Sequence, residues 1–150
     1  EEKAAGVLAD IQARYPGRAR WIEHLKDNLR EHEAVYTMWG RPRKFPGYRN
    51  YPSWEQEAVL REAFATSISG TAADIVKTVM VEAQKQGLNS LWNQVHDDLC
   101  YLEPGYLDSE GNPHGPIVEA KAALLKAVSL VQPLDGVELT VDVRIGVHWK

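Results

Sequence analysis

The strongest constraint on the fold is an apolar stretch that three consecutive ionisable residues interrupt. From residue 91 it reads Leu-Trp-Asn-Gln-Val-His-Asp-Asp-Leu-Cys-Tyr-Leu. Aromatic and branched residues predict two strands, at 91–95 and 99–102. His96, Asp97 and Asp98 lie between them, where we expect a turn because Asp is depleted from strands and accepted in turns. The sequence therefore predicts a β-hairpin whose turn carries two adjacent carboxylates.

Two interpretations of this turn are open at this point. In the first, the carboxylates only support the backbone conformation of the turn. In the second, they form a site for a hard metal ion such as Mg²⁺, which takes one or two protein carboxylates and fills its other positions with water and substrate phosphate. Both interpretations place Asp97 and Asp98 at the end of a rigid hairpin.

The overall composition predicts one globular domain, or a piece of one, with a substantial core. Of the 150 residues, 44% are hydrophobic and 25% are charged, and no apolar run approaches the roughly 18 residues of a membrane span. A single cysteine, Cys100, excludes a disulfide framework and favours a reducing, intracellular setting. We therefore expect a cytoplasmic protein with no membrane partner. The first residue is Glu1 instead of Met, which suggests processing or a fragment.

Charge is distributed unevenly along the chain. The formal net charge is −4, which argues against a protein coated in nucleic acid. Residues 34–54 nevertheless contain the cations Arg41, Arg43, Lys44 and Arg49 and no acid. A local basic patch is therefore predicted on a chain that is acidic as a whole.

Apolar residues recur at helical spacing through the first part of the chain. They predict a short helix that stops at residues 15–17 and a second helix over 18–32. A β-prone segment that turns at Gly40 follows. A third helix is then expected to begin at Ser53, with Gln56 completing a capping box.

The third helix is expected to be interrupted. It should run to about Thr66, since Ser69 and Gly70 favour a kink. After the kink, apolar spacing predicts a further helix from Ala72 that ends at Gly87.

The remainder of the chain predicts a loop, a helix and a strand. Residues 103–115 are rich in Gly, Pro and Asp and predict a loop, in which Pro113 argues against a calcium site by standing where the turn needs glycine. Pro116 suits the first turn of a helix that closes at Pro133. Strict alternation over 137–148 predicts a half-buried strand. The predicted fold class is therefore α+β with an antiparallel sheet.

Three separated segments match one family. They are Gly40-Arg41-Pro42-Arg43, Ser69-Gly70-Thr71-Ala72-Ala73-Asp74 and Gln94-Val95-His96-Asp97-Asp98. In this order they resemble the C-terminal region of family A DNA polymerases, the DNA polymerase I-like group. The resemblance covers nearly the whole chain and implies a palm-type antiparallel sheet with packed helices. It implies helices from the end of the fingers at 1–33 and the C-terminal part of the palm, incomplete alone, at 34–150.

The resemblance implies catalytic roles for the predicted turn. The match to the family's motif C makes Asp97 the aspartate that holds catalytic metal, with two Mg²⁺ ions shared with an aspartate outside this chain. His96 should lie near the terminal nucleotide of the primer. Asp98 should be an accessory acid beside the metals, where the family usually has the longer Glu. The implied reaction is template-directed addition of dNTPs to a primer 3′ end.

The resemblance also implies a set of DNA-binding residues. The cations match a family region that lies along the primer and template backbones, as phosphate contact requires. Ser69 stands where the family commonly has Gln. The implied set is Arg61, Arg41, Arg43, Lys44, Gln94, His96 and Ser69.

A chain of this kind should act only with partners. These are the remainder of the polymerase, as a separate chain or a cleaved segment, primer-template DNA and dNTPs, in a bacterial or phage-infected cell. The long loop at 103–115 is typical of bacteriophage enzymes. Two alternatives stay open: a non-catalytic subunit or fragment that only binds primer-template DNA, and an unrelated metal-dependent hydrolase that uses Asp97 and Asp98.

Overall fold

The computed structural model describes the backbone of residues 2–131 and 137–146, with the side chains of these residues apart from 2–5 and 8. The chain divides into two compact units after Thr71. Unit 1 ends at Thr71 and unit 2 begins at Ala72. The long helix α3, Ser53–Lys85, contributes residues to both units.

Unit 1 consists of helices and one small hairpin. Its elements are α1 Glu2–Arg14, α2 Pro16–His32, β1 Ala34–Tyr36, β2 Pro42–Lys44, a 3-10 helix at Tyr48–Asn50 and the first part of α3. Helix α2 begins at Pro16, whose missing N–H costs nothing in a first turn. It ends where Glu33 adopts a left-handed conformation and its backbone N–H donates to the Leu29 carbonyl. The predicted helices and the turn at Gly40 are confirmed.

The core of unit 1 joins α2, the hairpin β1–β2 and α3. Trp21 packs on Phe64 with the ring centroids 4.9 Å apart. The buried residues of this core are Leu25, Leu29, Val35, Phe45, Tyr48 and Ala63. Because Val35 lies in β1 and Phe45 directly follows β2, burial of this cluster fixes the hairpin on the helices.

The predicted kink at Ser69 and Gly70 is wrong, since α3 is a single helix through both residues. Hydroxyl groups support the helix at this point. Ser67 Oγ donates to the Ala63 carbonyl at 2.9 Å and Thr71 Oγ1 donates to the Ser67 carbonyl at 2.7 Å. Ser67 and Thr71, whose residue types often favour turns, therefore have their hydroxyl groups hydrogen-bonded within the helix.

The start of α3 is at Ser53, as predicted, but Gln56 has a different role. Its backbone N–H donates to the Pro52 carbonyl at 3.0 Å. Its side-chain amide donates to the carbonyls of Tyr48 and Tyr51, at 3.4 and 3.0 Å. Gln56 thus ties the 3-10 helix to α3 instead of closing a capping box.

Unit 2 combines the second part of α3 with two hairpins and one further helix. Its elements are β3 Leu91–Val95, β4 Asp98–Tyr101, β5 Tyr106–Leu107, β6 Pro113–His114 and α4 Pro116–Leu130. Helices α3 and α4 share two small apolar clusters. Their buried members are Val79, Val128 and Val131 in one, and Ala83, Leu88 and Ala127 in the other.

Three separate antiparallel pairs, β1–β2, β3–β4 and β5–β6, are the only sheets within the described residues. Mixed helices and antiparallel strands agree with the predicted α+β class. The larger palm-type sheet and the boundary between 1–33 and 34–150 stay predictions.

The predicted strand over 137–148 is wrong for its described part. An isolated bridge residue at Val137 precedes residues 138–146, which have no strand structure, while 147 and 148 lie outside the described residues. Side-chain alternation persists in part, because Leu139, Val143 and Ile145 are half-buried between exposed neighbours, whereas Val137 and Val141 are exposed. An alternating sequence pattern indicates which side chains face an apolar surface. A strand also requires backbone hydrogen bonds to a neighbouring strand.

The segment predicted as a loop at 103–115 contains the hairpin β5–β6. Tyr106 stacks on His114 with the ring centroids 5.0 Å apart. Asp108 Oδ1 accepts from the backbone N–H groups of Glu110 and Asn112 at 2.9 and 2.8 Å. Its Oδ2 lies 3.0 Å from His114 Nε2 and 3.2 Å from Asn112 Nδ2. Both carboxylate oxygens are therefore used within the hairpin.

No helix in the described part of the chain combines the length and the apolar character that crossing a membrane requires.

We predict that the β5–β6 turn loses its hydrogen bonds only in strong acid. The hydrogen bond to His114, followed by that to the Asn112 backbone, lowers the pKa of Asp108 from 3.8 to about 2. A depressed folded pKa means that the stabilisation is complete above the ordinary pKa and is lost as pH falls through about 2. An NMR titration of the Glu110 and Asn112 amides should have its midpoint near pH 2. The His114→Phe variant, which keeps an aromatic ring at this position, should move it upward, and a midpoint at the ordinary value in the parent would contradict the assignment.

Candidate functional site

The β3–β4 hairpin turns within two residues, His96 and Asp97. Val95 and Asp98 are paired across the end of the hairpin, so Asp98 is the first residue of β4. His96 has a φ of 55°, in the left-handed region. Tight two-residue hairpin turns need positive φ, and His is one of the few side chains that tolerates it. The predicted hairpin is confirmed, with the turn one residue shorter than expected.

Hydrogen bonds and a bulge shape this hairpin. The Gln94 side-chain amide donates to the His96 carbonyl at 3.1 Å, which braces the turn from within. The strand register shifts between Leu91 and Asn93, with Trp92 in the shift. Gln94, which the resemblance implies as a DNA-binding residue, thus has a structural role in the turn as well.

Asp97 and Asp98 line a cleft of about 570 Å³ in unit 2. Its walls are mostly apolar and come from α3, α4 and residues 139–146. Four other charged side chains line it: Glu103, Asp142, Lys121 and Arg144. His96, Asp97 and Asp98 are themselves exposed. The cleft therefore presents two solvent-accessible carboxylates beside an apolar surface.

Tyr101 has a buried hydroxyl in the same cleft. Within residues 2–131 and 137–146 its oxygen has no hydrogen-bond partner, and burial raises the pKa of Tyr101 above its ordinary value.

The two carboxylates at the turn do not form a complete metal site by themselves. No cluster of three or more His, Cys, Asp or Glu side chains suited to a metal ion occurs where the structure describes side chains. Mg²⁺ needs only one or two protein carboxylates, so Asp97 and Asp98 fit the requirement of a shared site.

The predicted DNA-binding cations lie in unit 1. Arg61 is exposed on α3 and, like Lys44 on β2, has no hydrogen-bonding or ionic partner among the described residues. Arg43 Nη2 lies 3.0 Å from Glu62 Oε1 and its guanidinium lies over the Phe45 ring. The sequence did not predict an acidic partner for Arg43, because Glu62 lies outside the acid-free stretch of residues 34–54.

Arg41 and Ser69 have different surroundings from these cations. Arg41 Nη2 donates to the Gly70 carbonyl at 3.1 Å, and Ser69 is exposed on α3. Of the implied site residues, Ser69 and the cations belong to unit 1 and Gln94, His96, Asp97 and Asp98 to unit 2. Sequence reasoning did not predict the contact between the β1–β2 turn and α3, in which the Met38 N–H donates to Thr71 Oγ1 at 3.1 Å. The only signal of this contact was Gly70, a glycine within helical spacing.

A family model described as DNA polymerase family A matches residues 1–150. The chain belongs to DNA polymerase family A. It is 38% identical to DNA polymerase I of Deinococcus radiodurans, over 98% of this chain, and 33% identical to DNA polymerase I of Chloroflexus aurantiacus, over 97% of it. It is 30% identical to the thermostable DNA polymerase I of Thermus thermophilus over 99% of the chain.

The chain spans only 15% of each of the first two relatives and 17% of the third. It therefore corresponds to a small part of each of these relatives. The family resemblance predicted from the three segments is confirmed. These relatives are bacterial and give no support to the expected bacteriophage origin.

We predict opposite stability effects at the turn from two substitutions of His96. His96→Gly should raise the free energy of unfolding by up to about 1 kcal/mol, because glycine adopts positive φ without a Cβ clash. His96→Val should lower it by about 1 to 2 kcal/mol, since a β-branched residue is strained there. Denaturant unfolding of the two variants checks the order, and the reverse order would contradict the turn geometry.

Proposed function

We propose that this family A segment supplies the motif C aspartate of a DNA-directed DNA polymerase, a nucleotidyltransferase that adds dNTPs to a primer 3′ end. The observation that carries the proposal is the position of Asp97, exposed in a braced two-residue turn on the wall of the cleft. Because the turn backbone is braced, it has little freedom to lose when the Asp97 carboxylate binds a cation.

The group that this site fits is a pair of Mg²⁺ ions. Asp97 would hold metal, Asp98 would be an accessory acid, and a second aspartate would come from outside this chain. When bound, the ions stabilise the charge that develops on the attacking and leaving oxygens in phosphoryl transfer. Their preference for oxygen ligands matches the two carboxylates of the turn.

The protein's own residues would orient the reactants. His96 sits at the exposed apex of the turn and would contact the terminal nucleotide of the primer. Gln94 braces the His96 carbonyl and would keep this imidazole and the Asp97 carboxylate at fixed spacing. A fixed spacing matters because positioning supplies a large share of the rate in phosphoryl transfer.

The cations of unit 1 would hold the primer-template backbone. The side chains of Arg61 and Lys44 are exposed and have no partner in the described part of the chain. They can therefore bind phosphates without breaking an existing ion pair. Arg43 would exchange its exposed contact with Glu62 for a phosphate. Ser69, a neutral hydroxyl, would add at most a hydrogen bond.

The chain would work as the C-terminal part of the palm, at 34–150, preceded by helices from the end of the fingers, at 1–33. Its partners would be the remainder of the polymerase, primer-template DNA and dNTPs, in the cytoplasm of a bacterial or phage-infected cell. The competing function is DNA binding without catalysis. The exposed cations of unit 1 would serve either function, and the first test below separates the two.

Asp97→Asn should abolish nearly all nucleotide incorporation by the complete polymerase that contains this segment. Asn keeps the size and turn preference of Asp but removes the charge that a metal needs. DNA affinity should stay within a few-fold of the parent, and Asp98→Asn should cost much less activity. Single-turnover incorporation at rising Mg²⁺ or Mn²⁺ measures both. If Asp97→Asn incorporates dNTPs nearly as fast as the parent, non-catalytic DNA binding is the better account.

Arg61→Ala should weaken primer-template binding by the complete polymerase and lower the dependence of log K on log salt by about one unit, as one lost phosphate contact requires. Arg30→Ala is the control, because Arg30 is an equally exposed arginine of unit 1 that pairs with Asp27 at 3.3 Å. Titrations of labelled primer-template at several salt concentrations measure the slope. Equal slopes for Arg61→Ala and the parent would remove Arg61 from the DNA-binding set.

A further inference from the structure

The turn between β1 and β2 lies unusually close to α3 at Gly70. A Cβ atom built on Gly70 would lie 2.8 Å from Thr37 Cγ2 and 3.4 Å from Arg41 Nη2. The backbone of Gly70 is helical and has no positive φ. Glycine is among the poorest helix formers, so its presence here is explained by space and not by backbone conformation.

Hydrogen bonds hold the same contact from both sides. Arg41 Nη2 donates to the Gly70 carbonyl at 3.1 Å, and the Met38 N–H donates to Thr71 Oγ1 at 3.1 Å. Thr71 Oγ1 in turn donates to the Ser67 carbonyl. The hairpin turn is thereby attached to one helical turn of α3.

The hairpin turn is also braced internally. Thr37 Oγ1 accepts from the Arg41 N–H at 3.2 Å, and the Thr37 N–H donates to the Arg41 carbonyl at 3.0 Å. Thr37 is buried, with 8% of its surface exposed. The direction in which the chain leaves this turn is thus fixed by the methyl group and hydroxyl of Thr37 and by the guanidinium of Arg41.

The segment that leaves the turn is β2, which carries Arg43 and Lys44. Arg43 reaches Glu62 on α3 at 3.0 Å, and Glu62 is the immediate neighbour of Arg61. A groove of about 350 Å³ lies beside these residues, lined by Tyr36, Thr37, Arg41, Arg43, Glu62 and Thr66 among others. Any shift of the hairpin on α3 would therefore change the spacing between the β2 cations and Arg61.

We propose that Thr37 and Gly70 are positioning residues for DNA binding: their close contact sets the spacing of Arg43, Lys44 and Arg61 so that the three cations meet backbone phosphates as one set. Arg41 acts by holding the hairpin on the Gly70 carbonyl and not by contacting a phosphate itself. This rests on the proposed DNA-binding function of unit 1.

The test uses the complete polymerase carrying Gly70→Ala, Thr37→Ser or both substitutions. Serine keeps the hydroxyl that accepts from Arg41 but lacks the methyl group that the new Cβ would meet. Gly17→Ala is the matched control, because a Cβ at this helical glycine meets nothing within 4 Å. Primer-template affinity across salt concentrations, and kcat at saturating DNA, are measured for each variant.

Gly70→Ala should weaken DNA binding about 10-fold or more and lower the salt slope by about one to two units, with kcat at saturating DNA little changed. Adding Thr37→Ser should restore affinity to within about threefold of the Thr37→Ser variant alone. Gly17→Ala should match the parent. The retained kcat of Gly70→Ala at saturating DNA shows that this substitution did not simply unfold the protein.

Two results would overturn the inference. One is a Gly70→Ala variant that binds DNA like Gly17→Ala, and the other is a loss of affinity that Thr37→Ser does not restore. The Arg61→Ala variant distinguishes failure of the positioning role from failure of the proposed DNA-binding function of unit 1. If Arg61→Ala weakens binding and Gly70→Ala does not, only the positioning role is wrong. If neither changes binding, unit 1 is not the DNA-binding surface.

Discussion

The continuity of α3 is the constraint on which the rest of the structure depends. Ala63 is buried in the core of unit 1, whereas Val79 and Ala83 are buried in the two clusters of unit 2. A break at residues 69 and 70 would divide α3 into two helices. The hydroxyls of Ser67 and Thr71 each donate to a carbonyl four residues earlier, so neither hydroxyl is left unpaired within α3.

The sequence predicted those elements whose conformation is determined by residues close to one another along the chain. The β3–β4 hairpin followed from an apolar run broken by His96 and Asp97, since a two-residue turn needs residues that tolerate its dihedral angles. The start of α4 followed from Pro116, because proline suits the first turn of a helix. Helix α2 begins at Pro16, two residues before its predicted start. The family was predicted from three short segments, because their combination is more specific for the family than any single segment.

Elements that depend on distant contacts were missed. Gly70 signals a helix break in the sequence, yet here it admits Thr37 from a segment more than thirty residues away. Residues 137–148 alternate like a strand but form only an isolated bridge, at Val137, in their described part, and no local pattern reveals whether a partner strand exists. The hairpin β5–β6 looked like a loop because contacts between its two ends stabilise it, such as the one between Asp108 and His114. For the site, sequence placed Asp97 on the turn but could not show the groups that brace it.

The central claim is that the turn at His96 and Asp97 holds divalent metal in the assembled polymerase. Mn²⁺ accepts the same oxygen ligands as Mg²⁺ and broadens NMR signals near its binding site. In a complete polymerase labelled in this segment and bound to primer-template DNA, the account predicts that substoichiometric Mn²⁺ broadens the amides of His96 to Leu99 first, and that Asp97→Asn abolishes this. Broadening that appears first around Asp108, or that leaves the β3–β4 turn unaffected, would contradict the account.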